Sequence, residues 1–97
     1  MSLVSASLSS RKYRTRIDVL ASIVDNAKNG NLLNKIMEKT RLNYTQLMLC
    51  LEELDGLGLI EEKYVNGRKL YVTSSRGTDF LRQYYILKGF LERKQVR

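Results

Sequence analysis

The sequence contains no histidine and a single cysteine, Cys50, among its 97 residues. Without histidine, the chain lacks the commonest general acid and base and a frequent ligand of transition metals. A lone cysteine cannot form an internal disulfide, and no imidazole is available to activate it as a nucleophile. We therefore expect Cys50 to fill a small space in the core of a protein from a reducing compartment. We expect no metal site, no cofactor and no enzymatic activity.

Long apolar runs and targeting signals are also lacking. No stretch approaches the roughly 20 apolar residues of a membrane span. The start of the chain has no basic stretch followed by an apolar block, as a secretory signal would have. The sequence contains no proline, and it shows no repeat and no long linker. We expect a cytoplasmic protein with a disordered basic leader over residues 1–13 and one domain over residues 14–97.

Positive charge is what the sequence has in excess. Lys and Arg number 17 against 10 Asp and Glu, which gives a net charge of +7. A surplus of this size on one small domain favours a polyanionic partner such as DNA, RNA or an acidic membrane surface. A basic cluster, Arg11, Lys12, Arg14 and Arg16, precedes the first apolar pattern. It could be an arm that reaches DNA or only a solubilising lead-in.

Hydrophobic periodicity predicts three helices in the first part of the chain. The first ends at Asn29-Gly30-Asn31, and the second covers residues 32–40. A tight turn follows, and Asn43 and Gln46 have the spacing of a capping box at the start of the third helix, which ends near Gly58. The residues expected to face the core from these helices are Ile17, Leu20, Ile23, Val24, Ala27, Leu33, Ile36, Met37, Leu47, Leu51 and Leu54.

After the third helix the pattern changes to two strands and a final helix. Residues 59–65 and 68–73 are β-prone, and Asn66-Gly67 between them is the strongest short hairpin signal. Ser74 is placed to cap a last helix over about residues 74–94. Two helices joined by a short turn and followed by a hairpin make a winged helix-turn-helix. The predicted fold is therefore mainly α with a small β-hairpin: three helices, a two-stranded wing and a C-terminal dimerisation helix.

Three segments also resemble a known family. Residues 35–47 are similar to the helix-turn-helix core of small archaeal winged-helix regulators, which include dimeric DNA-binding proteins of Sulfolobus type. Residues 51–60 (LEELDGLGLI) resemble the family's LxxLxxxGLI signature, and residues 71–81 (YVTSSRGTDFL) resemble its YxITxKGxxFL segment. The resemblance implies a transcriptional or chromatin role on double-stranded DNA, dimerisation through the last helix, and no catalysis.

In such a fold the third helix enters the major groove, and the wing lies on the phosphate backbone. The first turn of this helix offers Thr45 and Gln46 to base edges, although Gln46 could instead only cap the helix. Basic residues flank the helix and occupy the wing. The residues expected to contact DNA are Lys35, Lys39, Arg41, Asn43, Tyr44, Thr45, Gln46, Met48, Lys63, Arg68 and Lys69.

The last helix carries more apolar residues than one small domain can cover. Its four-three-four spacing is the seam of a helix pair, so we expect a homodimer through Phe80, Tyr84, Leu87 and Leu91. A wholly intramolecular core is the alternative.

The sequence leaves three functions open. The chain could be a sequence-specific transcriptional regulator, an architectural DNA-binding protein, or a winged-helix module that binds other proteins, for which Met48 and Leu49 are a mild hint. We expect no membrane partner, and the sequence does not identify a small-molecule effector.

Overall fold

The computed structural model describes residues 15–92. In chain order its elements are α1 (Arg16–Asn26), α2 (Leu33–Thr40), α3 (Tyr44–Gly56), β1 (Ile60–Val65), β2 (Arg68–Thr73) and α4 (Ser75–Glu92). This part of the chain is mainly helical with a two-stranded antiparallel hairpin, which confirms the predicted fold class. None of its helices is long and apolar enough to cross a membrane. The expected leader, including Arg11, Lys12 and Arg14, lies outside the described residues.

Local signals set the starts of α1 and α3. Thr15 and Asp18 form a capping box at α1, in which the hydroxyl of Thr15 accepts a hydrogen bond from the backbone N–H of Asp18 at 3.2 Å. Asn43 and Gln46 form the predicted box at α3: the Asn43 side chain accepts from the Gln46 N–H at 2.8 Å, and the Gln46 side chain accepts from the Asn43 N–H at 3.1 Å. Each box satisfies donors that a helix start otherwise leaves without partners.

The core lies where α1, α2 and α3 meet the base of the hairpin and the first half of α4. Its buried apolar residues are Leu20, Ala21, Ile23, Val24, Ala27, Ile36, Leu47, Leu51, Leu54, Leu59, Ile60, Tyr71 and Leu81. Cys50 is partly buried against this cluster, and burial raises the pKa of its thiol. The expectation that Ile17 belongs to the core is wrong, because 46% of its surface is exposed. It lies in the first turn of α1, beyond the area that the other helices cover.

The hairpin turns at Asn66-Gly67, whose φ angles of 51° and 79° are those that a two-residue hairpin turn of the predicted type requires. β1 and β2 are antiparallel partners, and in their register Ile60 lies opposite Thr73 and Val65 opposite Arg68. The free edge of β2 is paired by Asn31, which exchanges both backbone hydrogen bonds with Tyr71 at 2.9 and 3.0 Å. This bridge, which the sequence did not reveal, fastens the wing to the turn between α1 and α2.

A tight junction joins the hairpin to α4. The Ser74 hydroxyl donates to the Gly58 carbonyl at 2.6 Å and accepts from the Gly77 N–H at 3.0 Å, which confirms Ser74 as the helix cap. Gly77 packs so closely on the preceding chain that a Cβ there would lie 2.2 Å from the carbonyl oxygen of Leu59. Arg76 donates to the Leu57 carbonyl at 2.8 Å, at the end of α3. These contacts fix the direction in which α4 leaves the domain.

Candidate nucleic-acid interface

The connection between α2 and α3 carries an exposed row of cations. Lys35 and Lys39 are four residues apart and therefore lie on the same side of α2. Arg41 caps α2 with a left-handed backbone, φ 63°. It stands three residues before Tyr44, the first residue of α3, where the helix dipole favours anions. The turn thus places positive charge beside the N-terminus of the predicted recognition helix.

At the start of α3, some side chains are engaged in capping the helix and others are exposed to solvent. The side chains of Asn43 and Gln46 are engaged with each other's backbone in the capping box. The Gln46 side-chain nitrogen takes no part in that box, so Gln46 keeps a donor for another partner. Tyr44 is 58% exposed, and Thr45 is also exposed. Tyr44 and Thr45 are therefore the residues of this turn that are most available to a ligand.

After its first turn, the outward side of α3 carries apolar and acidic side chains. Met48 was expected to be exposed, but it is half-buried against the core, whereas Leu49 is 62% exposed. Glu52, three residues after Leu49, is exposed and forms no ion pair among residues 15–92. Beside this side of the helix lies a groove of about 410 Å³, bounded across from α3 by Glu62 and Tyr71 of the hairpin. The middle of α3 therefore presents apolar and acidic groups.

Cross-strand register divides the basic residues of the wing between its two sides. Glu62 pairs with Tyr71, and Tyr64 pairs with Lys69, so these four residues share the side that borders the groove. Lys69 is held there: its Nζ lies 3.6 Å from a carboxylate oxygen of Glu62 and 5.6 Å from the centre of the Tyr71 ring. Tyr71, and after it Glu62, raise the pKa of Lys69 above its ordinary value.

Lys63 and Arg68 lie on the other side of the hairpin. Lys63 pairs with Leu70, and Arg68 pairs with Val65, at positions that alternate with those of the groove side. Both cations are exposed. The sequence placed Lys63, Arg68 and Lys69 together on the wing, but the structure separates Lys69 from the other two.

Ion pairing separates the cations of the domain into two groups. Arg16, Lys28, Lys69, Arg82 and Lys88 each bridge a carboxylate. In the part of the chain that the structure describes, the following cations bridge none: Lys35, Lys39, Arg41, Lys63, Arg68 and Arg76. All of these except Arg76, which is bonded to the end of α3, were expected from sequence to meet phosphate.

Arg16, the described member of the N-terminal basic cluster, bonds to Glu53 on α3. This contact links the start of α1 to the third helix, and it raises the pKa of the guanidinium through the hydrogen bond. Glu53 is thereby turned away from the groove and towards α1. In this structure Arg16 serves the fold instead of extending as an arm.

The predicted dimer seam on α4 falls into two halves. Phe80 and Tyr84 are partly buried against the core, and the Tyr84 hydroxyl donates a hydrogen bond to Asp18 on α1. Leu87 and Leu91, by contrast, are 51% and 68% exposed. Phe90, which was not among the four predicted seam residues, is 73% exposed. The second half of α4 therefore carries an apolar surface that the rest of residues 15–92 leaves open.

Leu49 and Glu52 were not among the residues expected to contact DNA. Helical spacing was the signal that could have found them, because they stand four and seven residues after Thr45 and so continue its stripe. The pairing of Lys69 with Glu62 also had a signal, because the two-residue Asn66-Gly67 turn fixes the hairpin register and so places both residues on one side of the wing.

Comparisons with known proteins agree with this architecture. No curated protein matches the chain in sequence. Among solved structures, the chain is similar to Sso10a-2, a DNA-binding protein from Sulfolobus solfataricus, with a TM-score of 0.74 and 19% sequence identity over 82% of this chain and 84% of that one. At this identity the likeness establishes the fold. The profile of the winged helix-turn-helix family matches residues 13–92, and the chain belongs to that family.

Proposed function

We propose that this protein is a transcriptional regulator that binds double-stranded DNA, with the start of α3 in the major groove and the wing on the backbone. The observation that carries the proposal is the set of exposed cations without carboxylate partners, Lys35, Lys39, Arg41, Lys63 and Arg68. They flank the recognition helix on the α2 side and on the wing, where the winged-helix fold meets phosphates. The DNA-binding neighbour of the same fold supports it.

Each group has a role in this arrangement. Lys35, Lys39 and Arg41 hold the backbone on one side of the groove, and Lys63 and Arg68 hold it on the other. Tyr44 and Thr45 reach base edges or sugars from the first turn of α3. Asn43 and Gln46 fix that turn through the capping box, and Gln46 keeps its side-chain N–H₂ for a base. Lys69 contributes less than the other wing cations because Glu62 already neutralises it.

A salt titration of DNA binding tests the proposal. Five phosphate contacts from each protomer should give a log–log slope of affinity against salt of about −4.5 per protomer bound. The double variant Lys39→Ala with Arg41→Asn should make this slope less steep, about −2.7. Asparagine is chosen because it tolerates the left-handed backbone at position 41. Lys28→Ala is the matched control, because Lys28 lies just after α1 and is already paired with Asp25, and it should leave the slope unchanged. No affinity for DNA at low salt would refute the proposal.

The same titration on fragments of different sequence separates regulation from an architectural role. A preferred fragment is the result expected for a regulator, and equal affinity for every fragment would indicate an architectural protein. Leu49 supports a further candidate, a module that binds proteins, because a large apolar side chain is exposed on the outward side of α3. Absence of any DNA binding would favour this protein-binding function.

We also propose that the protein is a homodimer through the second half of α4. Leu87, Phe90 and Leu91 are exposed at helical spacing, and an apolar stripe of this kind is covered by a second copy in an isologous contact. Leu87→Lys with Leu91→Lys should yield a monomer in sedimentation equilibrium. Tyr85→Lys, on a different side of the helix, is the control. A monomeric wild-type protein would refute the proposal.

A further inference from the structure

The outward stripe of α3 suggests which bases the helix reads, an inference that rests on the proposed DNA binding. Thr45, Leu49 and Glu52 follow one another at steps of four and three residues, and all three are exposed. Met48 borders the stripe, half-buried. No Arg or Lys lies anywhere between Tyr44 and Gly56. The stripe therefore lacks the cationic donors that pair bidentately with guanine.

The groups that the stripe does carry have complements in the major groove. The apolar side chains of Leu49 and Met48 match the C5-methyl of thymine, and a carboxylate such as that of Glu52 accepts a hydrogen bond from the N4 amino group of cytosine. Both features belong to pyrimidines. We infer that α3 reads a short pyrimidine tract on one strand, with Leu49 and Met48 on thymine and Glu52 on cytosine.

The placement of charge supports this assignment. Glu52 would repel phosphate, so a helix that carried it toward the backbone would bind DNA poorly. Glu52 is the last residue of the stripe on α3, whereas the cations Lys39, Arg41 and Arg68 lie on α2, the following turn and the wing. The carboxylate thus meets base edges while the cations meet the backbone on either side. Glu52 bridges no cation in residues 15–92, so no ion pair has to be broken.

The length of the stripe sets the size of the tract. With a rise of about 1.5 Å per residue, the distance from Thr45 to Glu52 along the helix is about 10 Å. This distance corresponds to roughly three base-pair steps. The groove of about 410 Å³ between α3 and the hairpin, which Leu49, Glu62 and Tyr71 help to line, is large enough to hold a methyl group.

Fluorescence anisotropy on labelled duplexes tests the inference with the full chain. One duplex carries a T/C tract on one strand, and a second has the same composition with purines and pyrimidines alternating. A third replaces thymine by uracil in the tract, which removes only the methyl groups. We expect the tract to be preferred, and each contacted methyl that is removed should weaken binding about fourfold.

Substitution of Glu52 gives the second arm. Glu52→Gln should move the preference at one position of the tract from cytosine to adenine, because glutamine pairs with adenine bidentately. Glu61→Gln is the matched control: it removes the same charge from an exposed residue of the wing and should leave the base preference unchanged.

The outcomes distinguish this inference from the proposed function. Salt-dependent binding with no difference between thymine and uracil, and none between the tract and the alternating duplex, would overturn the pyrimidine assignment while DNA binding stands. Absence of binding to every duplex at low salt would overturn both.

Discussion

The two sides of this small domain use their charges differently. On the side formed by α1, the end of α3 and α4, charged groups are joined: Arg16 bonds to Glu53, and Asp18 is approached by both Tyr84 and Lys88. On the side formed by α2, the turn after it and the outer side of the wing, Lys35, Lys39, Arg41, Lys63 and Arg68 bridge no carboxylate within residues 15–92. We call these the paired side and the open side.

The difference concerns how charge is arranged and not how much of it there is, because six of the cations behind the net charge of +7 lie outside residues 15–92. Charges distributed at random would repel one another and add little to a binding surface. Here the carboxylates bridge the cations of the paired side and leave the cations of the open side without a bridging carboxylate among residues 15–92. Substitutions on the paired side should therefore change stability, and substitutions on the open side should change affinity for DNA.

The largest effect on stability is expected at Gly77, where α4 joins the paired side. In Gly77→Ala the new Cβ would lie 2.2 Å from the Leu59 carbonyl oxygen and 2.7 Å from the Thr73 side chain. Because one of these neighbours is backbone, α4 has to shift, and we expect the free energy of unfolding to fall by about 3 kcal/mol. Urea denaturation measures it.

Gly89→Ala provides the internal control, since a Cβ at Gly89 meets nothing within 4 Å. Because alanine favours a helix interior more than glycine does, this substitution should raise the free energy of unfolding by about 0.5–1 kcal/mol. Equal effects of the two substitutions would show that the close approach at Gly77 does not constrain the fold.

A smaller, pH-dependent effect is expected at Asp18. Hydrogen bonds, first from the Tyr84 hydroxyl and then from Thr15, lower the pKa of this carboxyl below its ordinary value. A lowered folded-state pKa gives stability that is present above the ordinary value, about 3.9, and lost as the pH falls through the folded-state pKa. Asp18→Asn should cost about 1–2 kcal/mol at pH 7, and less near pH 3.

Chemical denaturation of both proteins at the two pH values checks this prediction. Asp25→Asn is the matched control, because Asp25 makes only an exposed ion pair with Lys28. A difference between Asp18→Asn and the wild type that does not change with pH would show that the loss comes from packing.

Local signals explain how much of the fold could be predicted from the sequence. The caps at Asn43 and Ser74 and the Asn66-Gly67 turn depend on residues that are close in sequence, and each formed as expected. The exposure of Ile17 depends instead on which elements meet in space. Periodicity gives the apolar side of a helix, but it does not give the extent to which neighbours cover it.

The candidate site shows the same division. The open cations were identified by their place in the motif, since the order of elements fixes where α2, α3 and the wing lie. The opposite orientations of Lys63 and Lys69 follow from the hairpin register, which the predicted Asn66-Gly67 turn implies but the prediction did not use. Tyr84 was expected at a dimer contact, and its bond to Asp18 requires α1 and α4 to be docked.

Substitution of Asn43 tests whether this polar residue at the start of α3 contacts DNA or only caps the helix. Its side chain is committed to the Gln46 N–H at 2.8 Å, so Asn43→Ala should lower the free energy of unfolding by about 1 kcal/mol. Asn43→Ser keeps a capping oxygen and should preserve stability. If Asn43 only caps α3, the serine variant also keeps its affinity for DNA. A marked loss of affinity in a stable serine variant would instead identify Asn43 as a DNA contact.

Arg41 gives the sharpest comparison, although its effect on stability is the smallest. Its φ of 63° is a conformation that glycine adopts without strain. Arg41→Gly should therefore raise the free energy of unfolding by about 0.5 kcal/mol, because the relief of strain exceeds the entropy that glycine adds to the unfolded chain. The same change removes one of the proposed phosphate contacts of each protomer, so the salt slope of DNA binding per protomer should become less negative by about 0.9. Opposite signs in denaturation and in anisotropy would show that this arginine is retained for binding at a cost to the fold. If both quantities fell together, Arg41 would belong with the structural charges of the paired side.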